Sequence, residues 1–413
     1  MFVGDFSLDA VEAVTKDEPW AADLLSTILE LVDDSLLRQH DDHGVPLFSM
    51  LVPVHEIATA RFELEPGAAA VRRAHAEHYL KLAAEMEPLL QGATQSDALA
   101  RLAGERDDLR AAFHHLIGIG AVDLVADAVW RLLLYWWIRA DVPEAKAWME
   151  DILQAGVPLQ DRTRAIALGI SSWVSLSQPG TETDLGPIEW SVALFHSIGD
   201  RFGEGLALAA LSVACTAESP PDLERAEGLL RRALEFVTAE HNPTFEAMIR
   251  DTLGNLALLQ GDADRSIGIF DGILEDARRL GDGFVESFAL ADSGWAWLAR
   301  GEARPDLFAR HLELSLQLGN EDGVGYAFEG MAACAAASGD LERAGVLLGA
   351  SETARLRTGL VDQRSSFTYR PFIERILASD GAAEFEAARG RGRRMPRRAA
   401  IDLVLDQAGS VSP

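Results

Sequence analysis

The sequence predicts an all-α protein, a right-handed solenoid of two-helix repeats that follows a small N-terminal module with a two-stranded hairpin. Three observations predict it. Helix joins recur about every 40 residues along much of the chain, and three of them are a glycine followed by Asp or Glu. A second series of such joins falls between the first ones. The first 62 residues instead carry two short apolar runs around a turn, which is typical of a β-hairpin.

The N-terminal module covers residues 1–62 and has five predicted elements. Apolar periodicity predicts three helices, over residues 6–14, 21–32 and 53–64. Two strands are predicted between the second and third helices, over residues 35–40 and 45–50, with the turn at residues 41–44. Two helices, a two-stranded wing and a closing helix describe a winged helix.

A winged helix often binds DNA, but the charge of this module opposes that function. Residues 1–62 hold twelve acidic side chains against Lys16, Arg38 and Arg61, a net charge of −9. The helix that would enter a DNA groove, at residues 21–31, carries no Lys or Arg. Since contacts to phosphates dominate DNA affinity, we expect no direct DNA binding by this module.

A helical connector is predicted over residues 63–120, and the repeats over 121–360. Glycine takes up the left-handed backbone that ends one helix, and the Asp or Asn after it accepts the free N–H groups of the next. Two joins per period therefore predict two helices per repeat. The main series is spaced by 40, 39, 42, 40 and 38 residues, at Ala140, Gly180, Ser219, Gly261, Gly301 and Gly339. The second series consists of Gly199, Gly281 and Gly319.

Small and large residues recur at fixed distances from these joins. Gly254, Gly294 and Ala332 each lie seven residues before a join, and Gly294 is followed by Trp297 at the third position. After a join, a small–large–small triplet recurs, as at Ala226, Leu230 and Ala233. This pattern resembles the tetratricopeptide repeat. The period here is longer than the usual length of about 34 residues, which implies longer helices or turns.

Several segments along the chain resemble signalling ATPases of the STAND type. They are FSLDAVEAV (6–14), LVDDSLL (31–37), FSMLVPVHEIA (48–58), RRAHAEHY (72–79), ERDDLRAA (105–112) and AGVLLGA (344–350). The chain is similar to the C-terminal half of large bacterial transcriptional regulators of that group. The resemblance implies that the repeats are a sensor or partner-binding part. It also implies an ATPase core as a partner, in the same or another chain.

The phosphate-binding loop of those ATPases does not occur in this sequence. No G-x4-G-K-[ST] segment is present, and none of Lys16, Lys81 and Lys146 follows a glycine. We therefore expect no tight binding of Mg-ATP and no cofactor. The chain begins where the ATPase core of the family would end. Two explanations stay open, a fragment of a larger regulator and a gene product that lacks the core.

Composition disfavours several other classes of protein. The net charge of −28 opposes binding to anionic lipid, and no apolar run is long enough to span a membrane. The first residues lack a basic leader, so we expect a cytoplasmic protein. No nucleophile–base or paired-carboxylate motif indicates an enzyme. His75 and His78 share one helix face, but no third ligand is evident, so we expect an exposed helix face and no metal site.

Aromatic residues provide the candidate binding site. Trp130, Tyr135, Trp136 and Trp137 crowd one predicted helix, residues 121–140, and most of these rings are expected to fill the core between repeats. Trp130 and Trp137 lie seven residues apart and share a face, whereas Trp136 turns away from it. The alternative to core packing is an aromatic groove for an effector or partner. The residues predicted to bind there are Trp130, Arg131, Trp137, Trp173 and Trp297.

A C-terminal helical cap is predicted over residues 361–413. It holds six arginines within residues 389–398, for which we expect pairing with the acidic surface of the protein, with nucleic-acid contact as the alternative. The predicted function is a non-catalytic module of a bacterial signalling or transcriptional regulator that binds an effector or protein partner. The alternatives are a free-standing tetratricopeptide scaffold unconnected with transcription and an unrecognised enzyme.

Overall fold

The computed structural model describes residues 1–18, 20–42, 45–176, 184–218, 220–358, 375, 378 and 381–408. The predicted joins at Gly180 and Ser219 and the centre of the predicted hairpin turn, His43 and Gly44, lie outside these residues. The chain forms two compact units. The first comprises Met1–Leu90, Thr94–Tyr135 and Asp151–Thr163, and the second comprises Gln91–Ala93, Trp136–Glu150 and Arg164–Pro413.

The N-terminal elements are three helices and a small antiparallel sheet in the order β1-β3-β2. They are β1 (Phe6–Ser7), α1 (Leu8–Thr15), α2 (Leu24–Asp33), β2 (Leu37–Asp42), β3 (Val45–Met50) and α3 (Val52–Phe62). A short 3-10 turn, Ala21–Asp23, precedes α2. No residue of α3 is buried.

The sheet has three strands, so the prediction of a two-stranded wing was wrong in this respect. Phe6 and Ser7, predicted as the start of a helix, pair with Phe48 and Leu47 of β3. The reason is the cap of α1. The hydroxyl of Ser7 accepts a hydrogen bond from the amide of Ala10, so the helix begins only after Ser7 and the preceding backbone stays extended.

The other helices of the first unit enclose a buried polar network. The hydroxyl of Tyr79 donates to Glu105 at 2.7 Å, and Nε2 of His75 lies 3.2 Å from a carboxylate oxygen of Asp108. Asp108 also accepts from the backbone amide of Val3 at 2.8 Å. Burial raises the pKa of Tyr79, so the phenol remains a donor. These helices are α4 (Ala68–Met86), α5 (Gln95–Gly104), α6 (Arg106–Gly118) and α7 (Val122–Arg131).

His75 was predicted to lie on an exposed helix face, and this prediction was wrong. The side chain is 3% exposed because Asp108 of α6 supplies a partner for the imidazole inside the core. Two of the six segments that carried the family resemblance, residues 72–79 and 105–112, therefore contact each other. His75 and Tyr79 lie four residues apart, and Glu105 and Asp108 lie three apart. Residues at these spacings share one side of a helix, so the two pairs can face each other.

The remaining helices follow one another in pairs. They are α8 (Leu133–Ile138), α9 (Val142–Gln154), α10 (Asp161–Leu176), α11 (Gly186–Ile198), α12 (Arg201–Thr216), α13 (Leu223–Ala239), α14 (Pro243–Leu259), α15 (Ala263–Leu280), α16 (Gly283–Ala299), α17 (Pro305–Leu318), α18 (Glu321–Ala337), α19 (Leu341–Thr358), α20 (Ala382–Gly392) and α21 (Arg397–Ala408). The single helix predicted over residues 121–140 is interrupted at Leu132, which separates α7 from α8. None of the described helices is long and apolar enough to cross a bilayer.

The predicted helix joins are confirmed wherever the structure describes them. Glycines at these joins have positive φ, from 64° at Gly319 to 97° at Gly301. The next Asp or Asn caps the following helix in most of them. At Asp262, for example, a carboxylate oxygen accepts from the amide of Arg265 at 3.1 Å. The protein is therefore all-helical apart from the small sheet, as expected for a helical repeat solenoid.

Aromatic rings pack against glycines where successive helices touch. A Cβ added at Gly254 of α14 would lie 2.6 Å from the ring of Phe270 on α15. The ring of Phe308 on α17 contacts both Gly294 of α16 and Gly330 of α18 in the same way. Phe270 and Phe308 are fully buried. These contacts are the small–large complementarity that the sequence pattern predicted between neighbouring helices.

Buried polar side chains also link the helices of the second unit. The amide of Asn255 on α14 donates to Asp251 in its own helix and to Asp292 on α16, at 3.1 and 2.9 Å. The hydroxyl of Tyr326 on α18 donates to the other oxygen of Asp292 at 2.7 Å. Three successive first helices of the repeats are thus joined through one carboxylate.

His311 of α17 is buried between α16 and α18. Its Nδ1 lies 2.8 Å from the hydroxyl of Ser287, and its Nε2 lies 3.0 Å from the carbonyl oxygen of Gly323. Nδ1 also lies 2.8 Å from the backbone carbonyl oxygen of Ser287, so a neutral ring can donate to only one of the two carbonyl oxygens that its nitrogens face. Burial lowers the pKa of His311 to about 4, against opposing contributions from Ser287, Asp292 and Gly323.

The arginine-rich segment of the C-terminal cap is paired with acidic side chains. Arg389 and Arg393 both contact Glu352 of α19. Arg391 contacts Glu342 of α19, and Arg397 contacts Glu321 of α18. Four of the arginines thus tie α20 and α21 to the preceding pair of helices, which agrees with the expected pairing on the protein's own surface.

Two glycines on one helical hairpin should respond oppositely to alanine. Gly261 has a φ of 84° and Gly268 lies inside α15, and a Cβ would meet no other atom at either position. We expect Gly261→Ala to destabilise the protein by about 1 kcal/mol because alanine resists the left-handed backbone. Gly268→Ala should stabilise it by about 1 kcal/mol through helix propensity. Urea denaturation measures the change in the free energy of unfolding for each variant. Changes in the same direction would contradict the assignment of Gly261 to a helix join.

Acid should destabilise the repeats through His311. The folded-state pKa is about 4 against 6.5 for a free histidine, so the stabilisation is complete above pH 6.5 and is lost as the pH falls towards 4. We expect a loss of about 2 kcal/mol between pH 7 and pH 5. His311→Asn should remove this part of the pH dependence. The free energy of unfolding of the wild type and of His311→Asn is measured by urea denaturation across this pH range. If both fall equally with pH, His311 does not cause the loss of stability.

Candidate ligand-binding surface of the helical repeats

Two of the five predicted binding residues come together in the second unit. Trp137, at the end of α8, and Trp173, on α10, have ring centroids 4.3 Å apart with an angle of 47° between their planes. Both side chains are half-buried. Residues 36 positions apart in the sequence thus form one partly exposed aromatic surface, here called the tryptophan pair.

Neighbouring aromatic residues on α8 have a different role. Trp136 is 0% exposed and Tyr135 is 1% exposed, so both belong to the core. Adjacent residues on a helix point about 100° apart, which separates the buried Trp136 from the half-buried Trp137. Core packing therefore accounts for Trp136 and Tyr135, whereas Trp137 keeps a face towards solvent.

Trp130 and Arg131 belong to the first unit and end α7. Trp130 is half-buried. The guanidinium of Arg131 donates to Asp127 at 2.7 Å and to Glu87 at 2.5 Å. The hydrogen bond to Asp127 is the main cause that raises the pKa of Arg131. An acidic ligand would have to compete with these two carboxylates for Arg131.

Trp297 lies on α16 and is half-buried. The guanidinium carbons of Arg300 and Arg304 lie 4.7 and 5.6 Å from the centroid of its ring, within the range of cation–π contact. Trp297 also packs against the hydrophobic core that includes Phe270 and Leu290. The tryptophan pair is therefore the part of the predicted set that the structure joins.

A cavity of about 360 Å³ opens in the second unit, close in sequence to the tryptophan pair. Its walls come from the α8–α9 join, the start of α18 and the end of α19. The basic side chains in the wall are Arg139 and Arg357. The other lining residues are Ala140, Asp141, Pro143, Glu144, Glu321 and Thr358. Sequence analysis missed this cavity because its walls lie about 180 to 220 residues apart in the chain.

The structure contains no chemistry that assigns a reaction to the described residues. No cluster of three or more His, Cys, Asp or Glu side chains suited to a metal ion occurs in the part of the chain that is described. Cys215 and Cys334 are buried free thiols, and burial raises the pKa of Cys334 to about 12. A thiol held in its protonated form is a poor nucleophile.

Two relatives of the chain are named as transcriptional regulators. No protein-family model matches the chain. A Mycobacterium tuberculosis protein and a Mycobacterium bovis protein, each named "Putative HTH-type transcriptional regulator", are 27% identical to it over 331 residues. The match covers 78% of this chain and 36% of each relative, so the chain spans about a third of the length of the curated relatives it matches.

One solved structure also aligns with the chain. It is the crystal structure of a STAND protein with a tetratricopeptide repeat sensor from Pyrococcus horikoshii. The alignment has a TM-score of 0.44 and 13% sequence identity, and it covers 98% of this chain and 63% of that chain.

Alanine substitutions of Trp136 and Trp137 should show by their different effects on stability which of the two lies in the core. We expect Trp136→Ala to cost about 3–5 kcal/mol of stability because it empties a fully buried site. Trp137→Ala should cost only about 1–2 kcal/mol, from half-buried area and the contact with Trp173. Thermal and urea denaturation measure both. Equal losses for the two variants would place Trp137 in the core and remove it from the candidate surface.

Proposed function

We propose that this chain is a non-catalytic sensor or protein-interaction module of a bacterial signalling or transcriptional regulator. The observation that carries the proposal is the similarity, over 78% of the chain, to proteins named as transcriptional regulators. A helical repeat fold supports it, since stacked helix pairs present extended surfaces to partners. We further propose that an effector or partner contacts the tryptophan pair, because half-buried aromatic rings are common anchors of binding.

The finer architecture belongs to the same proposal. Residues 1–62 would be a winged helix, supported by two helices followed by a hairpin whose second strand pairs with β1. A right-handed twist of the repeats, with a connector at 63–120, a solenoid at 121–360 and a cap at 361–413, completes the proposed organisation. A cytoplasmic location agrees with a regulator of this kind.

An ATPase core, in the same or another chain, is the proposed partner of the N-terminal module. Helix α3 buries none of its residues and exposes Val52 and Ile57 by 70% and 61%. On α2, Leu25 and Leu29 are 59% and 50% exposed. Exposed apolar side chains on neighbouring helices are typical of a surface that another domain covers. Direct DNA contact is not part of the proposal, because α2 carries no Lys or Arg.

Transcript profiling would separate a regulator from a free-standing scaffold. We expect deletion of the gene to change the transcript levels of a defined set of genes, and the wild-type gene to restore them. A gene with both Trp137→Ala and Trp173→Ala should fail to restore them although its product folds. Trp190→Ala is the control, since Trp190 is 51% exposed outside the tryptophan pair.

Two results would contradict the proposal. An unchanged transcript profile after deletion would favour the scaffold or the enzyme. Full restoration by the double tryptophan variant would remove the tryptophan pair from the site. Circular dichroism and thermal melting of the purified variants exclude loss of folding as the cause.

A further inference from the structure

We propose that the cavity between the α8–α9 join and the ends of α18 and α19 binds a small molecule through a carboxylate or phosphate group, held by Arg139 and Arg357. The inference specifies the effector of the proposed sensor. It rests on the proposed function for its regulatory role, whereas the binding itself follows from the charges and the shape of the cavity.

Arg139 has no ion pair among the described residues, and the one described ion pair of Arg357 is long. Arg139 is half-buried. Arg357 is 55% exposed, and its nearest described carboxylate is that of Glu321 at 3.8 Å. Both oxygens of Glu321 already accept from Arg397, at 2.5 and 3.2 Å. The guanidinium groups are therefore available to an anion.

The cavity wall holds three carboxylates beside the two arginines, and each of these carboxylates already has an interaction partner. Asp141 and Glu144 each take part in an interaction of their own, so they are not free carboxylates. The wall also includes the first turns of α9 and α18, and the N-terminal ends of helices carry partial positive charge. Glu144 and Glu321, which lie in these first turns, offset part of that charge.

The position of Arg139 depends on a glycine at the end of α17. The guanidinium packs directly against the backbone of Gly319, where any Cβ would collide with it. Gly319 has a φ of 64° and ends α17, so glycine is favoured there for the turn as well. A side chain held in this way is pre-organised, and a planar guanidinium forms paired hydrogen bonds with carboxylate or phosphate oxygens.

The size of the cavity selects a small molecule. A volume of about 360 Å³ lies at the lower end of the range for ligand pockets, which suits a metabolite and not a folded partner. The shared chemistry of the ligand is therefore a compact acid. Whether its anionic group is a carboxylate or a phosphate is decided by the two probes of the experiment below.

Calorimetric titration with succinate and with inorganic phosphate tests the inference, with uncharged succinamide as the control probe. We expect the wild-type chain to bind at least one anion, with affinity that falls as sodium chloride is added. Arg139→Gln and Arg357→Gln should each weaken binding about tenfold or more, through loss of a charged hydrogen-bond donor. Arg139→Lys should bind with intermediate affinity, because it keeps the charge but not the planar fork.

Arg310→Gln is the matched control, since Arg310 is ion-paired with Glu313 and does not line the cavity. Its affinity for the probes should equal that of the wild type. Absence of heat with both anions, or unchanged binding by the Arg139→Gln/Arg357→Gln double variant, would overturn the inference. Because Arg357 is exposed, Arg357→Gln keeps the test valid if Arg139→Gln does not fold.

The anion titration and the transcript profiling test separate claims, so one can fail while the other succeeds. Anion binding that depends on both arginines supports the cavity even if deletion of the gene leaves transcription unchanged. A transcriptional effect of the tryptophan pair without anion binding supports the regulator and overturns the cavity inference.

Discussion

The close contact of an aromatic ring with a glycine is the interaction on which the repeats depend. A ring as large as that of Phe308 fits between α16 and α18 only because Gly294 and Gly330 present no side chain there. Phe270 occupies the same kind of place against Gly254. Because interiors are close-packed, such contacts fix the separation of neighbouring helices. The short joins are possible because the helices they connect already lie side by side.

Polar contacts then make that arrangement specific. Asp292 of α16 accepts from Asn255 of α14 and from Tyr326 of α18, and His311 of α17 bridges Ser287 and Gly323. Apolar contacts tolerate a shift of one helix past another, whereas a buried carboxylate or imidazole that loses its partners pays the full cost of desolvation. These side chains therefore select one register among several that the hydrophobic surfaces alone would allow.

The sequence predicted the local parts of this structure and missed the parts that depend on distant residues. Joins such as Gly261–Asp262 were predictable because the left-handed glycine and the capping aspartate lie next to each other. The pairing of Phe6 with Phe48, the burial of His75 by Asp108 and the approach of Arg139 to Gly319 were not, because each joins segments far apart in the chain. In the candidate site, helical periodicity predicted that Trp136 and Trp137 lie on different faces of their helix. The contact of Trp137 with Trp173 could be seen only in the folded structure.

Both candidate binding features lie where the chain departs from its own repeat. The joins at Gly261, Gly301 and Gly339 place glycine at the left-handed position, but the α8–α9 join has Ala140 there, with a φ of 56°. Arg139 comes directly before Ala140, and Trp137 lies two residues before Arg139. A residue that resists its backbone conformation, an arginine with no ion pair among the described residues and a half-exposed tryptophan are each unfavourable for packing alone. In proteins, several locally unfavourable residues occur together mainly at functional sites. The α8–α9 join has three such residues among the four at positions 137–140.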